Sequence, residues 1–208
     1  MIPTPDQLHA TIAERGFVHL RQRSQADLVE VLEALGRTIY VEEVRDTPGA
    51  VSLVKSRAGI DWHTDHHRAE RIVWYCLSKA DEGGETLVAD GHAALALLDD
   101  NHVEALRRVT LTDHSVFRGD PPRHAMLTDE HDGRHRLYFS LWLADETTGP
   151  EREAFDAFGD ALARVEHHRF LLEPGDVLAI DNTRMAHART PIGGDAVRHL
   201  RRYWLATT

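Results

Sequence analysis

The chain has 208 residues, of which 42% are hydrophobic and 28% charged, a composition that is typical of globular proteins and excludes a wholly disordered or fibrous chain. This length is enough for one domain with a sizeable core, so we predict a single domain over residues 1–208. Its 34 acidic and 24 basic side chains give a net charge of −10, which repels phosphate backbones and argues against a nucleic-acid partner.

The sequence also lacks the signals of membrane insertion and secretion. No run of about 18 apolar residues occurs, so we expect no membrane span. The N-terminus has no basic stretch followed by an apolar one, so we expect no secretory signal. Cys76 is the single cysteine and can form no disulfide within the chain, which favours a reducing, cytoplasmic location.

Residues 1–37 predict two helices and a strand that pack on the outside of a sheet. The segment Thr-Pro-Asp-Gln at residues 4–7 combines an N-cap hydroxyl, a first-turn proline and a capping-box glutamine, so a helix should begin here and end at Gly16. Residues 17–21 alternate apolar and polar side chains, as a half-buried strand does. A second helix should occupy residues 24–36.

Short strand-like runs separated by Gly, Pro and Asp dominate from residue 38 onward, which favours an antiparallel sandwich or barrel over a βαβ fold. A stripe of Phe155, Phe158, Leu162 and Val165 at helical spacing predicts a helix packed on the core. We therefore expect a mainly β fold with flanking helices. The predicted strands cover residues 38–41, 50–55, 72–77, 86–89, 110–117, 136–143, two runs within 170–180, and 197–206, and the predicted helices cover residues 91–98, 102–108 and 150–166.

Two histidines and an aspartate form a candidate metal site. His63 and Asp65 lie two residues apart, so on a strand they share a face and can reach one metal ion while Thr64 points away. His187 follows a Pro-Gly-Asp turn and a predicted strand far along the chain. Two imidazoles and one carboxylate can bind one face of a ferrous ion and leave its other positions open for a cosubstrate and dioxygen. The grouping therefore points to an oxygenase.

Two arginines on the final predicted strand suggest an anion beside this site. Arg198 and Arg202 are four residues apart and share a face, while Arg201 points to the other side. An inward guanidinium needs an anion, and a dicarboxylate cosubstrate would supply one through bidentate pairing. Taken alone, the two arginines fit ordinary surface ion pairs equally well.

The chain resembles the clavaminate synthase and taurine dioxygenase-like group of iron(II)- and 2-oxoglutarate-dependent oxygenases in three separated parts. The tripeptide His-Thr-Asp at residues 63–65 resembles the family's first two metal ligands. The segment Gly-Gly-Glu-Thr at residues 83–86 is similar to the family segment whose threonine hydroxyl, here Thr86, binds the cosubstrate carboxylate. His187 resembles the family's distal histidine, and Arg198, 11 residues later, resembles the arginine that pairs with the 2-oxoglutarate C5 carboxylate.

The resemblance implies a double-stranded β-helix, that is, a jelly-roll, cupin-like barrel, together with a defined chemistry. Iron(II) held by His63, Asp65 and His187 would bind 2-oxoglutarate, and dioxygen would be used to oxidise a C–H bond of a small molecule with release of succinate and carbon dioxide. By the same resemblance, Arg202 lies near the C1 end of 2-oxoglutarate or near a substrate anion. Halogenating relatives carry Ala or Gly in place of the carboxylate ligand, so Asp65 argues for hydroxylation, desaturation or oxidative ring closure.

The substrate clues lie mostly in the middle of the chain, where the resemblance implies a variable lid or substrate region over about residues 118–166. Arg118 and Arg136 in this region, and Asp61 and Glu70 beside the proposed mouth, are candidate substrate contacts, although the two arginines fit solvated loop charge better than a substrate contact. The acidic residues and the net charge favour a cationic, amine-bearing substrate, such as a basic amino acid, an amino sugar or a related natural product.

Two other functions are compatible with parts of the sequence. Residues 61–66, Asp-Trp-His-Thr-Asp-His, come close to the His-x-His-x-Asp-His zinc motif of metallo-β-lactamase-like hydrolases, with Asp61 in place of the first histidine. Such a hydrolase needs an αββα sandwich and leaves Thr86 and the paired arginines unexplained. The third interpretation is a non-catalytic barrel that binds a metal or a small ligand, since a fold alone never proves turnover.

Overall fold

Two antiparallel β-sheets lie face to face and enclose part of the core. The computed structural model describes residues 2–47, 49–50, 52–112, 115–130, 133–144 and 146–207. The helices are α1 (Pro5–Arg15), α2 (Gln25–Leu35), α3 (Gly91–Leu95), α4 (Asp100–Leu106) and α5 (Gly149–Arg164). The strands are β1 (Phe17–Leu20), β2 (Arg37–Arg45), β3 (Ile60–His63), β4 (Arg71–Ser78), β5 (Glu82–Gly83), β6 (Thr86–Asp90), β7 (Thr110–Thr112), β8 (Arg123–Ala125), β9 (Leu127–Asp129), β10 (His135–Leu137), β11 (His167–Phe170), β12 (Val177–Asp181), β13 (Met185–Arg189), β14 (Ile192–Gly193) and β15 (His199–Ala206).

Strands from distant parts of the chain are neighbours in both sheets. The larger sheet has the order β1-β12-β4-β15-β2, and the smaller has the order β11-β6-β13-β3. Three short pairs, β9 with β10, β5 with β14 and β7 with β8, lie outside these sheets. This interleaving of early and late strands is that of a double-stranded β-helix, which confirms the predicted fold class.

The two N-terminal helices cover the outer face of the larger sheet. α1 begins with the predicted capping box at Thr4 and Gln7 and ends at Gly16, whose φ of 79° is left-handed. α2 begins with a second capping box at Ser24. Apolar side chains of both helices, such as Leu8 and Val31, pack in one buried cluster with residues of β4, β12 and β15. Capping chemistry and apolar periodicity therefore placed both helices correctly.

α5 packs with the outer side of the smaller sheet. Phe155, Phe158 and Leu162 are fully buried and lie in one cluster with Ala89 of β6 and Ala186 of β13. The small alanines leave room for the large helix side chains, which confirms the stripe as core packing. Cys76 is likewise buried, as a small hydrophobe within the cluster between the sheets. No described helix is both long and apolar enough to cross a membrane.

Four predicted strands are wrong in whole or in part, the last of them being the first run within 170–180, of which only Phe170 lies in a strand. Residues 52–55 of the predicted strand at 50–55 form a bend and a 3₁₀ turn, and Val51 lies outside the described residues. The run at 110–117 is a strand only over Thr110–Thr112, with residues 113–114 outside the described part. The run at 136–143 ends as a strand at Leu137 and continues into a second 3₁₀ turn. In the first case the reason is visible, because a buried arginine, not a neighbouring strand, binds the backbone carbonyls.

Candidate metal centre and cosubstrate pocket

His63 and His187 lie side by side on neighbouring strands. They are register partners where β3 pairs with β13, and their ring centroids are 4.1 Å apart. The next pair is Ile60 with Arg189. Between the two pairs the chain advances three residues along β3 but only two along β13. Such a bulge adds a residue to one strand, which allows Ile60 and His63 to line the same cavity despite their odd spacing.

Asp65 completes the group from outside the strands. β3 ends at His63, so the predicted strand geometry for this pair is wrong. The backbone N–H of Asp65 instead donates to Asn182 Oδ1 over 2.8 Å, which fixes the chain after the strand. Asp65 Oδ1 then lies 3.8 Å from Nε2 of His63 and 3.8 Å from Nε2 of His187. The ligand atoms of all three residues lie within 4.8 Å of one another, which one metal ion can span.

The Asp65 carboxylate is oriented by two side chains of β15. Arg202 Nη1 donates to both carboxylate oxygens at 2.8 Å, and Trp204 Nε1 donates to Oδ2 at 2.7 Å. Burial opposes ionisation, but the Arg202 guanidinium, followed by His187, His63 and the Trp204 hydrogen bond, outweighs it and holds the pKa of Asp65 at about 2. The carboxylate is therefore anionic at neutral pH and turns Oδ1 toward the imidazoles.

Both imidazoles can present a lone pair to a metal. His63 Nδ1 lies 2.8 Å from the backbone carbonyl of Asp61. Because a carbonyl only accepts, this nitrogen carries the proton and Nε2 keeps its lone pair. Burial, reinforced by His63, lowers the pKa of His187 well below its usual value, so this ring is neutral at pH 7. Two imidazoles and one carboxylate form the donor set of a non-haem ferrous site, and the residues fit such an ion.

Thr64, which the strand pattern turns away from the metal, fastens a distant segment. Its backbone N–H donates to the carbonyl of Phe139 over 2.7 Å, and its hydroxyl accepts from the Phe139 N–H over 2.9 Å. His63 forms an isolated β-bridge with the next residue, Ser140. The Trp142 ring lies 5.0 Å from the His63 ring. Thr64 therefore holds the segment that places an indole against the metal centre.

A small cavity of about 40 Å³ beside the triad is lined by both predicted cosubstrate anchors, Thr86 and Arg198. Arg198 Nη2 donates to Thr86 Oγ1 over 3.2 Å, and its Nε donates to the carbonyl of Gly84 over 2.8 Å. Gly84 has a φ of +69°, and a Cβ here would lie 2.9 Å from the Arg198 side chain. Glycine therefore permits both the turn and the close approach of the guanidinium.

Arg198 is a buried cation without a carboxylate partner for its guanidinium among the described residues. Burial, together with the neighbouring Arg189 cation, lowers the pKa of Arg198 to about 10, so the side chain is still protonated at pH 7. Asp46 accepts from the backbone N–H of Arg198, over 2.6 Å. An uncompensated buried guanidinium facing a cavity fits the carboxylate of a bound anion.

Arg202 lines the same cavity, but two protein carboxylates already pair with it. Beside its bonds to Asp65, its Nη2 donates to Glu42 Oε2 over 2.5 Å. Glu42 comes from β2, whose register sets it opposite Arg202. The expected contact of Arg202 with 2-oxoglutarate or a substrate anion stays a prediction.

Two of the four predicted substrate contacts line a much larger cavity. Glu70 and Arg136 lie in the wall of a cavity of about 750 Å³, and Arg136 Nη1 donates to Glu70 Oε1 over 3.3 Å. Asp61 and Arg118 are exposed and line neither cavity. The triad itself does not line the large cavity. Trp204 connects the two, since its ring lies 6.5 Å from that of Phe117 in the cavity wall.

A second group with metal-binding side chains follows Asp65 directly. Asp120 Oδ2 lies 3.5 Å from His66 Nε2 and 3.2 Å from His67 Nε2, and Arg68 contacts the other oxygen. His66 Nδ1 accepts the N–H of Arg68 over 3.1 Å, which leaves the proton of a neutral ring on Nε2. A protonated nitrogen cannot bind a metal, and the guanidinium repels a cation. The group therefore fastens the loop of Asp120 to the chain beside the triad.

Two residues of the site that lie beside predicted ones are not among the residues predicted from the sequence. Trp204 is two residues after Arg202 on β15, and Arg189 is two residues after His187 on β13. Both are buried, and both point to the same side as the predicted neighbour. The same alternation that paired Arg198 with Arg202 would have found them.

Comparison with known families agrees with this geometry. A family model described as taurine catabolism dioxygenase TauD, TfdA family matches residues 3–204. The chain belongs to this family. The match extends from the first helix to the last strand and so includes the triad, Thr86 and both arginines.

Two characterised relatives of the TauD, TfdA family are similar to about three quarters of the chain. Clavaminate synthase 2 of Streptomyces clavuligerus is 34% identical over 170 residues, which cover 74% of this chain and 51% of the relative. Human gamma-butyrobetaine dioxygenase is 23% identical over 181 residues, which cover 76% of this chain and 47% of the relative. The chain thus spans about half the length of the curated relatives that it matches.

Solved structures show the same fold at low identity. An asparagine oxygenase in complex with Fe(II), 3-hydroxyasparagine and succinate superposes with a TM-score of 0.78 at 17% identity, covering 98% of this chain and 79% of that one. The non-heme iron oxygenase OrfP, in complex with Fe and alpha-ketoglutaric acid, gives 0.78 at 16% identity, with 98% and 80% covered. This fold is not the αββα sandwich that the zinc-hydrolase alternative requires, so that alternative is not favoured.

Proposed function

We propose that the protein is an iron(II)- and 2-oxoglutarate-dependent dioxygenase that oxidises a C–H bond of a small molecule. The observation that carries the proposal is the convergence of His63 Nε2, His187 Nε2 and Asp65 Oδ1 within 4.8 Å, beside the buried Arg198 cation. A purely structural ion-pair network needs no guanidinium that faces a cavity without a carboxylate partner. A metal site that binds a dicarboxylate needs both the metal ligands and such a cation. Membership of the TauD, TfdA family supports the same function.

His63, His187 and Asp65 would hold the ferrous ion on one face. Because Trp204 binds Oδ2 of the carboxylate, Asp65 would bind the metal through Oδ1. An iron(II) ion held there together with 2-oxoglutarate would supply the activation of dioxygen, with succinate and carbon dioxide as the products of the cosubstrate. The remaining work of the chain is to position the reactants and to keep water out.

Arg198 and Thr86 would orient 2-oxoglutarate. The guanidinium can pair with the distal carboxylate in a bidentate manner, and the threonine hydroxyl adds one hydrogen bond. Val44, Val54 and Ile60 supply apolar wall to the same cavity. An apolar, buried wall strengthens the charge pairing because it lowers the local dielectric constant.

We also infer an amino-acid-type substrate that is hydroxylated or oxidatively cyclised. The asparagine oxygenase structure contains a hydroxylated asparagine, and an OrfP structure contains a hydroxylated arginine. The large cavity has charges of both signs, Glu70 for an ammonium group and Arg37 for a carboxylate, whereas Arg68 and Arg136 in the same wall already pair with Asp120 and Glu70. Arg37 favours a zwitterion over a purely cationic molecule. Similarity to clavaminate synthase 2 supports a role in antibiotic or other secondary metabolism.

The proposed compartment is the cytoplasm. Ferrous iron and an unpaired thiol both persist best in a reducing environment. The single cysteine, Cys76, is buried, and burial raises its pKa to about 12, so it is an inert thiol.

The decisive experiment is anaerobic addition of iron(II) and 2-oxoglutarate to the purified protein. We expect the visible charge-transfer band of a chelated keto acid and, after oxygen is admitted, formation of succinate. Asp65→Ala should abolish the oxygen-dependent succinate, whereas Asp160→Ala, which changes an exposed carboxylate of α5, should not. Absence of the band in the wild-type protein, together with tight zinc binding, would overturn the proposal.

The substrate class is tested by succinate release across a panel of amino acids, amino sugars and their uncharged analogues. We expect stimulation by molecules that contain both an ammonium and a carboxylate group. Stimulation by amines without a carboxylate, but not by amino acids, would contradict the zwitterion and leave the oxygenase chemistry intact.

A further inference from the structure

One buried side chain holds the loop at residues 52–58. Arg189 donates from Nη1 and Nη2 to four backbone carbonyls of this loop, over 3.0, 3.2, 2.7 and 2.6 Å, namely those of Val54, Leu53, Ser56 and Ala58. Hydrogen bonds from a cation are stronger than those between neutral groups. Arg189 thus satisfies backbone acceptors that neighbouring strands satisfy elsewhere in this fold.

The strand pattern explains why this arginine points inward. Arg189 is two residues after His187 on β13, so both side chains lie on the same face of the sheet. Arg189 is 7% exposed and lines the same cavity as His187 and Arg198. Burial lowers the pKa of Arg189, with Asp46 opposing this effect, and Arg189 in turn lowers the pKa of Arg198. The two cations therefore share the proposed cosubstrate pocket.

The pocket is too small for its proposed ligand while the loop is in place. Its volume is about 40 Å³, and one water molecule needs on the order of 10–15 Å³ measured in this way. A five-carbon dicarboxylate is larger than this space, so side chains or a segment of the wall must move for it to bind. Among the described lining residues, all lie on strands of the two sheets except Val54 in the loop and Arg198, which directly precedes β15. The loop is the wall that can move without breaking a sheet.

We propose that residues 52–58 form a lid on the cosubstrate pocket and that Arg189 is the positioning residue that holds the lid closed. The proposal rests on the proposed function for the identity of the ligand, but not for the existence of the lid. Opening breaks the bonds of Arg189 to the loop carbonyls and gives access to Arg198. It also breaks the backbone bonds of Lys55 and Arg57 to Thr47 and Ile192 and the contacts of the Arg57 side chain with Asp46, Gly193 and Gly194. Reclosure over 2-oxoglutarate slows its release.

Limited trypsin digestion tests the lid directly, because Lys55 and Arg57 lie within it. Their side chains are 46% and 38% exposed, so cleavage at these two sites reports opening of the loop. We expect Arg189→Ala to raise the rate of cleavage there at least about tenfold, since several charge-assisted hydrogen bonds are lost. Arg189→Lys should give a smaller increase, because a point charge with three donors cannot reproduce the planar fork. Arg201→Ala, at a surface ion pair with Glu43, is the matched control and should leave the rate unchanged.

Kinetics separates a lid from a merely structural arginine. We expect Arg189→Lys to raise the KM for 2-oxoglutarate about tenfold while kcat falls less than about threefold. In the wild-type protein, we expect iron(II) with 2-oxoglutarate to protect Lys55 and Arg57 from cleavage by trypsin. If Arg189→Ala does not fold, as judged by circular dichroism, the lysine variant carries both tests. Cleavage rates equal to wild type in the folded variants would overturn the lid. A wild-type protein without the charge-transfer band would instead overturn the proposed function, and digestion of the metal-free variants would still decide the lid.

Discussion

At the scale of single residues, the metal centre depends on hydrogen bonds that orient the proposed ligands. Arg202 donates to both oxygens of Asp65 and Trp204 to Oδ2 alone, so Oδ1 is the oxygen that faces the imidazoles. His63 is oriented in the same way by a backbone carbonyl. Such partners fix the direction of a ligand before the metal arrives, which lowers the entropic cost of binding.

Trp204→Phe removes the indole N–H but keeps an aromatic ring of similar shape. We expect metal affinity to fall about 10- to 100-fold, the usual effect of losing a partner that orients a ligand. Titration with cobalt(II), followed through its visible bands, measures the affinity. Trp74→Phe is the control, because the Trp74 ring packs against His187, with ring centroids 5.0 Å apart, and forms no hydrogen bond to Asp65 in the described structure. Equal affinities for the two variants would contradict the assigned role of the indole.

At the scale of elements, the turn between β12 and β13 connects three parts of the fold. Arg184 in this turn donates from Nε and Nη2 to Asp90 Oδ2, at the end of β6. Its Nη1 donates to the carbonyls of Ala13 and Glu14 near the end of α1. Asp90 is also the N-cap of α3. The ion pair between Arg184 and Asp90 thus fixes the position at which β13, the strand that contains His187, begins.

Asp90→Asn tests the charge of this connection separately from its capping oxygen, because asparagine is also a good N-cap. Burial opposes ionisation, but the Arg184 hydrogen bonds and charge outweigh it and lower the pKa of Asp90 below 3.8. The stabilisation is therefore complete above pH 3.8 and is lost as the pH falls below it. We expect the variant to lose about 1–3 kcal/mol of unfolding free energy at pH 6 and much less at pH 3. Urea unfolding at both values measures this, and a difference that does not change with pH would contradict the prediction.

At the scale of the whole molecule, the site exists only because two sheets face each other. His63 and His187 come from the smaller sheet, whereas Arg202 and Trp204 come from the larger one. Helices cover both outer faces, α1 and α2 on one side and α5 on the other. The helices therefore matter for the site indirectly, because they bury the backs of the sheets that hold it.

Phe158→Ala tests the contribution of α5 to this arrangement. Phe158 is fully buried, and its ring lies 5.0 Å from that of Phe139, which Thr64 holds beside the metal centre. We expect a loss of about 3–5 kcal/mol of unfolding free energy from the lost burial and the cavity left behind. Leu97→Ala, at a position 52% exposed, should cost less than about 1 kcal/mol in the same denaturant experiment. Similar losses for both variants would show that α5 is not part of the core.

Features that depend on local chemistry could be predicted from the sequence alone. Capping boxes placed α1 and α2, helical spacing identified the buried face of α5, and motif order brought His63, Asp65 and His187 into one hypothesis. These patterns are readable because turn geometry and side-chain alternation act over a few residues.

The tertiary structure decided everything that depends on partners distant in the chain. The predicted strand at 50–55 is replaced by a loop because Arg189 binds its carbonyls, and Asp65 leaves the strand because Asn182 holds its backbone. Arg202 binds Asp65 and Glu42, since the register of β2 and β15 sets it between them. A hydrogen-bond donor in a sequence has no preferred acceptor until folding brings one within reach. The sequence therefore identifies the side chains at the metal centre, whereas the packing of the two sheets determines their hydrogen-bond partners.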